Sequence, residues 1–176
     1  MRTSFINKKM IPLFSFILGI YHLSGQTITI PIATENNVIV MQTDNNNRLR
    51  TIYFGKPLEN ESEYAGVSAN YNYDESNAGI YNSSYTPAGT WNLSEPAIQV
   101  KHGDGNPSLE LKYVSHNKKI IDANTSITSI LLKDPIYPFE VTLFYKVWTK
   151  ENIIEHGLRQ ITIQKSILIS SRNETE

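Results

Sequence analysis

The sequence predicts an all-β fold of antiparallel strands, and three observations carry that prediction. Apolar and polar residues alternate with period two in several short runs. Clusters of Asn, Asp, Gly and Pro separate these runs at intervals that suit tight turns. No window holds the i, i+3, i+4, i+7 spacing of an amphipathic helix over three turns, so no helix is expected. Short strands with turn signals at this spacing point to a sandwich or a barrel-like sheet.

The first 26 residues stand apart from that pattern. Lys8 and Lys9 precede an apolar run from Met10 to Leu23, and the small residues Ser24 and Gly25 follow it. A positive start, a short apolar stretch and a small-residue exit predict a secretory signal peptide over residues 1–26. The run is about 14 residues long, too short to cross a bilayer core of ~30 Å. The expectation is a secreted or periplasmic protein with no membrane association after cleavage. With no cysteine in the chain, a lipid-anchored form, disulfides and a Cys-based metal site are all excluded.

The strands then follow in order. Thr27–Ile32 and Asn37–Gln42 alternate, with the turn formers Thr34, Glu35, Asn36 and Asn37 between them. Asp44–Asn47 is a second turn signal, and Leu49–Phe54 is a third strand closed by Gly55, Lys56 and Pro57. Residues 59–95 lack strand periodicity: Glu59–Glu63 is polar and acidic, and a stretch rich in Asn, Ser and Tyr follows. Long aperiodic segments are often functional, and aromatic rings seek a packing surface or a ligand. Strand signals resume at Ala97–Lys101. His102–Pro107 reads as a turn whose glycines tolerate positive φ. Leu109–Val114 alternates, Ile127–Leu132 suits a more buried strand ended by Asp134-Pro135, and Thr142–Val147 alternates again.

Composition narrows function by exclusion. A hydrophobic content of 40% with 19% charged residues permits a buried core. A net charge of -1 and a pI near 6.4 provide no footprint for nucleic acid. His102, His116 and His156 are scattered, with no HExxH and no clustered carboxylates, so no metal site is expected. There is no GxSxG, P-loop or GxGxxG, and no cofactor is implied. The residues by themselves describe an exported β-domain and name no reaction.

Ordered blocks carry a resemblance further. Glu95-Pro96-Ala97-Ile98-Gln99-Val100-Lys101-His102-Gly103-Asp104-Gly105-Asn106 leads through Leu109-Glu110-Leu111 to Tyr113-Val114-Ser115-His116. Leu132-Lys133-Asp134-Pro135-Ile136-Tyr137-Pro138-Phe139-Glu140-Val141-Thr142-Leu143 and Glu151-Asn152-Ile153-Ile154-Glu155 follow, and Tyr53-Phe54-Gly55-Lys56 comes earlier. In order and spacing these resemble the N-terminal domain of family 36 glycoside hydrolases over about Ile28–Glu155. Gly103 stands where the family usually has Ala, and Pro107 is atypical.

The resemblance implies an antiparallel β-supersandwich over residues 27–155, incomplete here and preceded by the signal peptide. Full-length members are retaining α-galactosidases, often homo-oligomeric, whose two catalytic aspartates sit in a barrel domain absent from these residues. No catalytic residue is therefore assigned, and Asp104, Asp134 and Glu140 match structural positions. Where the family continues Glu-Gln-Trp, this chain reads Glu155-His156-Gly157, as a one-base deletion in the gene would produce. Residues 156–176 are thus expected to be a non-familial, out-of-frame tail, in which Ile161, Ile163, Ile167 and Leu168 alternate loosely enough for a makeshift strand. Two functions follow from these readings. The first is a non-catalytic scaffolding or oligomerisation domain from an enzyme that takes α-galactosides. The alternative is a stand-alone carbohydrate-binding or structural sandwich, for which Asp74, Tyr81, Tyr85 and Trp91 are the candidate sugar contacts.

Overall fold

Three strands form the first layer of the computed structural model, which describes residues 27–67, 84–85, 95–162 and 167–170. β1 (Thr29–Ala33), β2 (Val38–Thr43) and β3 (Leu49–Gly55) pair antiparallel in that order. Thr34 closes the first turn: its N–H and its hydroxyl both donate to the Asn37 carbonyl, at 2.8 and 3.0 Å. In the second turn the Asp44 carboxylate accepts the N–H groups of Asn46 and Arg48, each at 2.8 Å. Asn47 there adopts φ 58°, a left-handed conformation that Asn tolerates better than most residues.

Both faces of this sheet carry buried residues. Ile30, Ile32, Met41 and Leu49 enter the main core, while Val38 and Val40 point the other way, against Tyr64. Tyr64 belongs to a helix, α1 (Glu63–Val67), where the sequence led us to expect none. A helix of five residues is too short for a 3.6-residue period to show in the pattern. Tertiary contacts hold it instead. The Tyr64 ring lies 5.4 Å from that of Tyr53, and its hydroxyl accepts the Leu58 N–H at 3.1 Å. Ahead of the helix, the Glu63 N–H donates to the Asn60 carbonyl at 3.1 Å, and the Asn60 amide returns a bond to the Glu63 carboxylate at 2.8 Å.

Next comes β4 (Gln99–Lys101), and then the second layer as an antiparallel meander. β5 (Lys112–Ile120), β6 (Thr125–Lys133), β7 (Phe139–Trp148) and β8 (Ile153–Thr162) are hydrogen-bonded in sequence order. Strict alternation places Ile130 and Leu132 of β6 on the same face as Phe139, Val141, Leu143, Tyr145 and Val147 of β7. That face packs with Ile30, Ile32 and Met41 of the first layer into one core, which makes an antiparallel sandwich. Full burial of each such side chain contributes roughly 1.5–3 kcal/mol. The turns also meet: the Asn36 N–H donates to the Asn152 side chain at 2.9 Å, and the Glu35 N–H donates to the Thr149 carbonyl at 3.2 Å.

Two boundaries differ from the sequence pattern. Leu109–Val114 alternates like a strand, yet β5 begins only at Lys112; Leu109 and Leu111 are buried in irregular chain. β8 pairs with β7 in unbroken register from Ile153 opposite Trp148 to Thr162 opposite Phe139, passing straight through Glu155 and His156. Beyond it, Ile167 and Leu168 fall in β9 (Ile167–Ser170), which pairs antiparallel with β4.

Candidate functional site

The densest polar constellation among the described residues joins two loops. One is the 102–108 turn after β4, and the other is the 134–138 connection between β6 and β7. His102 stands two positions after the buried Val100 of β4, on the same side of the alternating chain, so its ring is drawn inward and is only 3% exposed. It stacks on Tyr137 with ring centroids 3.5 Å apart and meets the edge of Phe139 at 6.4 Å. Its Nε2 is 2.9 Å from the Ser108 carbonyl, whereas Nδ1 is buried with no partner among the described residues. A carbonyl oxygen only accepts, so Nε2 is the donor in that contact.

Around that stack the turn closes on itself. The Gly105 N–H donates to the His102 carbonyl at 2.8 Å, and the His102 N–H donates to the Asn106 carbonyl at 2.9 Å. Gly105 has φ 87°, a conformation that residues with a Cβ rarely adopt. Asp104 accepts the Asn106 N–H at 2.9 Å and the Tyr137 hydroxyl at 2.8 Å. The Asn106 side-chain amide donates to the same Tyr137 oxygen at 2.8 Å.

Asp134 organises the other loop from a buried position. One carboxylate oxygen accepts the N–H groups of Ile136 and Tyr137, each at 2.8 Å. The second accepts the Glu110 N–H at 2.9 Å, which ties down the irregular segment that buries Leu109 and Leu111. An Asp-Pro-x-Tyr sequence signals the first two bonds as an Asx-turn. Nothing local signals the third, because Glu110 lies 24 residues away.

Electrostatics at this clasp favour fixed charge over proton transfer. The Asn106 N–H, followed by the Tyr137 hydroxyl, holds the Asp104 carboxyl below the usual aspartate range. The bond to Asp104 in turn raises the Tyr137 phenol. A general acid for glycoside cleavage needs a carboxyl pushed the opposite way. Glu140 is paired with Lys133 at 3.0 Å across the β6–β7 ladder. No group of three or more His, Asp or Glu side chains suited to a metal ion occurs among the described residues.

Of the four sugar contacts suggested by sequence, Asp74, Tyr81 and Trp91 lie outside the described residues. Tyr85 lies within them: its half-buried ring packs against the main core, and its hydroxyl donates to the Ala97 carbonyl at 3.2 Å. Burial raises its phenol pKa. The neighbouring Ser84 N–H donates to the Leu49 carbonyl at 3.3 Å, so this short piece runs beside β3.

By class this is an antiparallel β-sandwich domain, with the carboxylates of Asp104 and Asp134 bound into its turns. The family model of the glycosyl hydrolase family 36 N-terminal domain matches residues 47–166, and the chain belongs to that family. Its fold is similar to that of a family 36 α-galactosidase from Geobacillus stearothermophilus in complex with stachyose. That likeness has a TM-score of 0.64 and 20% identity, and covers 77% of this chain and 22% of that one. An α-galactosidase from Lactobacillus brevis gives a TM-score of 0.64 at 17% identity, over 79% of this chain and 22% of that one. The galactosidase domain of an α-galactosidase–sucrose kinase gives 0.63 at 19% identity, over 76% and 22%. The chain thus spans about a fifth of the length of these structures. No curated protein sequence matches it.

Proposed function

We propose that this chain works as the non-catalytic N-terminal part of an α-galactosidase, scaffolding a catalytic domain that lies outside the residues present here. The observation that carries this reading is the asymmetry of the fold likeness, which takes in 77% of this chain but 22% of the stachyose-bound enzyme. The chemistry of the described residues supports it. A retaining glycosidase needs two carboxyl groups about 5–5.5 Å apart, one of them held as an acid. Asp104 is held ionised by its donors, and Asp134 spends both oxygens on backbone N–H groups. The purified chain is expected to release no galactose from an aryl α-galactoside, and sustained turnover would overturn the reading.

Export belongs to the same proposal. Lys8, Lys9, the apolar run Met10–Leu23 and the small pair Ser24-Gly25 support removal of residues 1–26 outside the cytoplasm. N-terminal sequencing of the expressed protein should begin at Thr27. A mature protein that still starts at Met1 would exclude it.

A further inference from the structure

Asp104-Gly105 is the single Asp-Gly pair in the chain, and Asn-Gly does not occur. This dipeptide carries chemistry of its own. With no side chain on the following residue, the Gly105 nitrogen can reach the Asp104 carboxyl carbon and close a five-membered ring. Both residues are exposed, and no atom lies within 4 Å of the position a Gly105 Cβ would take. Crowding therefore does not block the reaction. Hydrogen bonds instead occupy each group that it needs. The Gly105 N–H is given to the His102 carbonyl at 2.8 Å, which engages the nucleophile. One Asp104 oxygen accepts the Asn106 N–H at 2.9 Å, and the other accepts the Tyr137 hydroxyl at 2.8 Å. The Asn106 N–H, and after it the Tyr137 hydroxyl, also favour the ionised carboxylate, which a nucleophile attacks less readily than a neutral acid.

We propose that Asp104-Gly105 is a site of spontaneous isoaspartate formation, held closed by the clasp and released when the Tyr137 hydroxyl lets go. The Asp104 carboxyl, protonated from solvent, is attacked at its carbon by the Gly105 nitrogen. A nitrogen–carbon bond forms there, and the carboxyl hydroxyl leaves as water with the Gly105 amide proton. Water then adds to the main-chain carbonyl carbon of Asp104 and breaks its bond to the Gly105 nitrogen. The chain now runs through the Asp104 side chain, one methylene longer, and the free carboxylate sits on the former main-chain carbon. No co-reactant other than water is consumed. A carboxylate displaced in this way no longer meets both the Asn106 N–H and the Tyr137 hydroxyl. Each conversion therefore leaves the clasp open.

Ageing the purified chain at physiological temperature and neutral pH tests the proposal. The tryptic peptide His102–Lys112 isolates the site, and chromatography with electron-transfer fragmentation separates its aspartyl and isoaspartyl forms. The folded chain should convert about tenfold more slowly than the same chain unfolded in urea. Tyr137→Phe keeps the ring that stacks on His102 and should speed conversion about tenfold, as expected for one lost bond to a charged acceptor. Asp104→Glu should leave the peptide unconverted, because the ring would need six members. Circular dichroism checks that both variants stay folded. In the aged wild type, amide exchange should quicken at residues 103–108 and not in β6 or β7. Two results would overturn the proposal. One is an equal rate in the folded and unfolded chain, and the other is a folded Tyr137→Phe variant that converts no faster than the wild type.

Discussion

The β6–β7 hairpin and the clasp between residues 102–110 and 134–138 lie side by side in one molecule and are buried by different means. In the hairpin, every second residue of two long strands is buried, apolar along all of β7 and at Ile130 and Leu132 of β6, while the backbone satisfies itself in the ladder. In the clasp the backbone is irregular, and side chains replace the ladder: Asp134 alone takes three N–H groups. Leu109 is as deeply buried as Leu143, yet no strand partner holds its backbone. The hairpin therefore depends on apolar volume, and the clasp on a few acceptors in the right place.

Substitutions should separate the two. Leu143→Ala empties a fully buried site in the middle of β7, and about 4 kcal/mol of global stability should be lost in urea titrations. Asp134→Ala removes no comparable apolar volume. It leaves three partly buried backbone donors without their acceptor and should cost about 3 kcal/mol. Asp134→Asn keeps one acceptor oxygen and should recover part of that loss. If Asp134→Ala proves as mild as a surface substitution, the clasp is not held by its acceptors and the contrast collapses.

A smaller effect sharpens the same point. Tyr137→Phe keeps the ring that stacks on His102 but deletes the hydroxyl shared by Asp104 and Asn106. Amide exchange should quicken at residues 103–108 and stay unchanged in β6 and β7. Uniform acceleration across both regions would mean that the clasp and the hairpin open as one unit.

The contrast also explains what could be read in the sequence. Alternation in Thr142–Val147 and the more continuously apolar run Ile127–Leu132 announced the hairpin, because burial of a strand writes itself into the spacing of its apolar residues. The same rule misplaced the start of β5: Leu109 and Leu111 alternate for the core, but the Asp134 carboxylate fixes the backbone between them. α1 left only a capping-like Asn60…Glu63 spacing and one large ring, Tyr64, too little for a periodic signal. Of the clasp, the turn at Gly103–Asn106 was legible from its composition. The bonds that close it onto Tyr137 were not, since they join residues 31 and 33 positions apart.

Acid should act on the two regions in different pH windows, and this is the smallest of the expected effects. On the sheet, the exposed His156 ring lies against Tyr145 with centroids 4.7 Å apart, so one face is shielded from water. That desolvation lowers its pKa from the ordinary value of 6.5. An unfolded chain then binds more protons than the folded one as pH falls through 6.5, so stability declines from there downward. At the clasp, Asp104 is held below its ordinary value of 3.8 by the Asn106 N–H and the Tyr137 hydroxyl. Its contribution is fully present above 3.8 and fades only as pH falls through the lower, folded value. Stability measured from pH 8 to 3 should therefore drop in two steps. His156→Gln should remove the upper step alone, and Asp104→Asn should shrink the lower, to which Asp122 and Glu151 also contribute because hydrogen bonds from Asn124 hold both below their ordinary values. A single step lost with either substitution would mean that the two regions share one titration, and that the division between sheet and clasp does not extend to their charges.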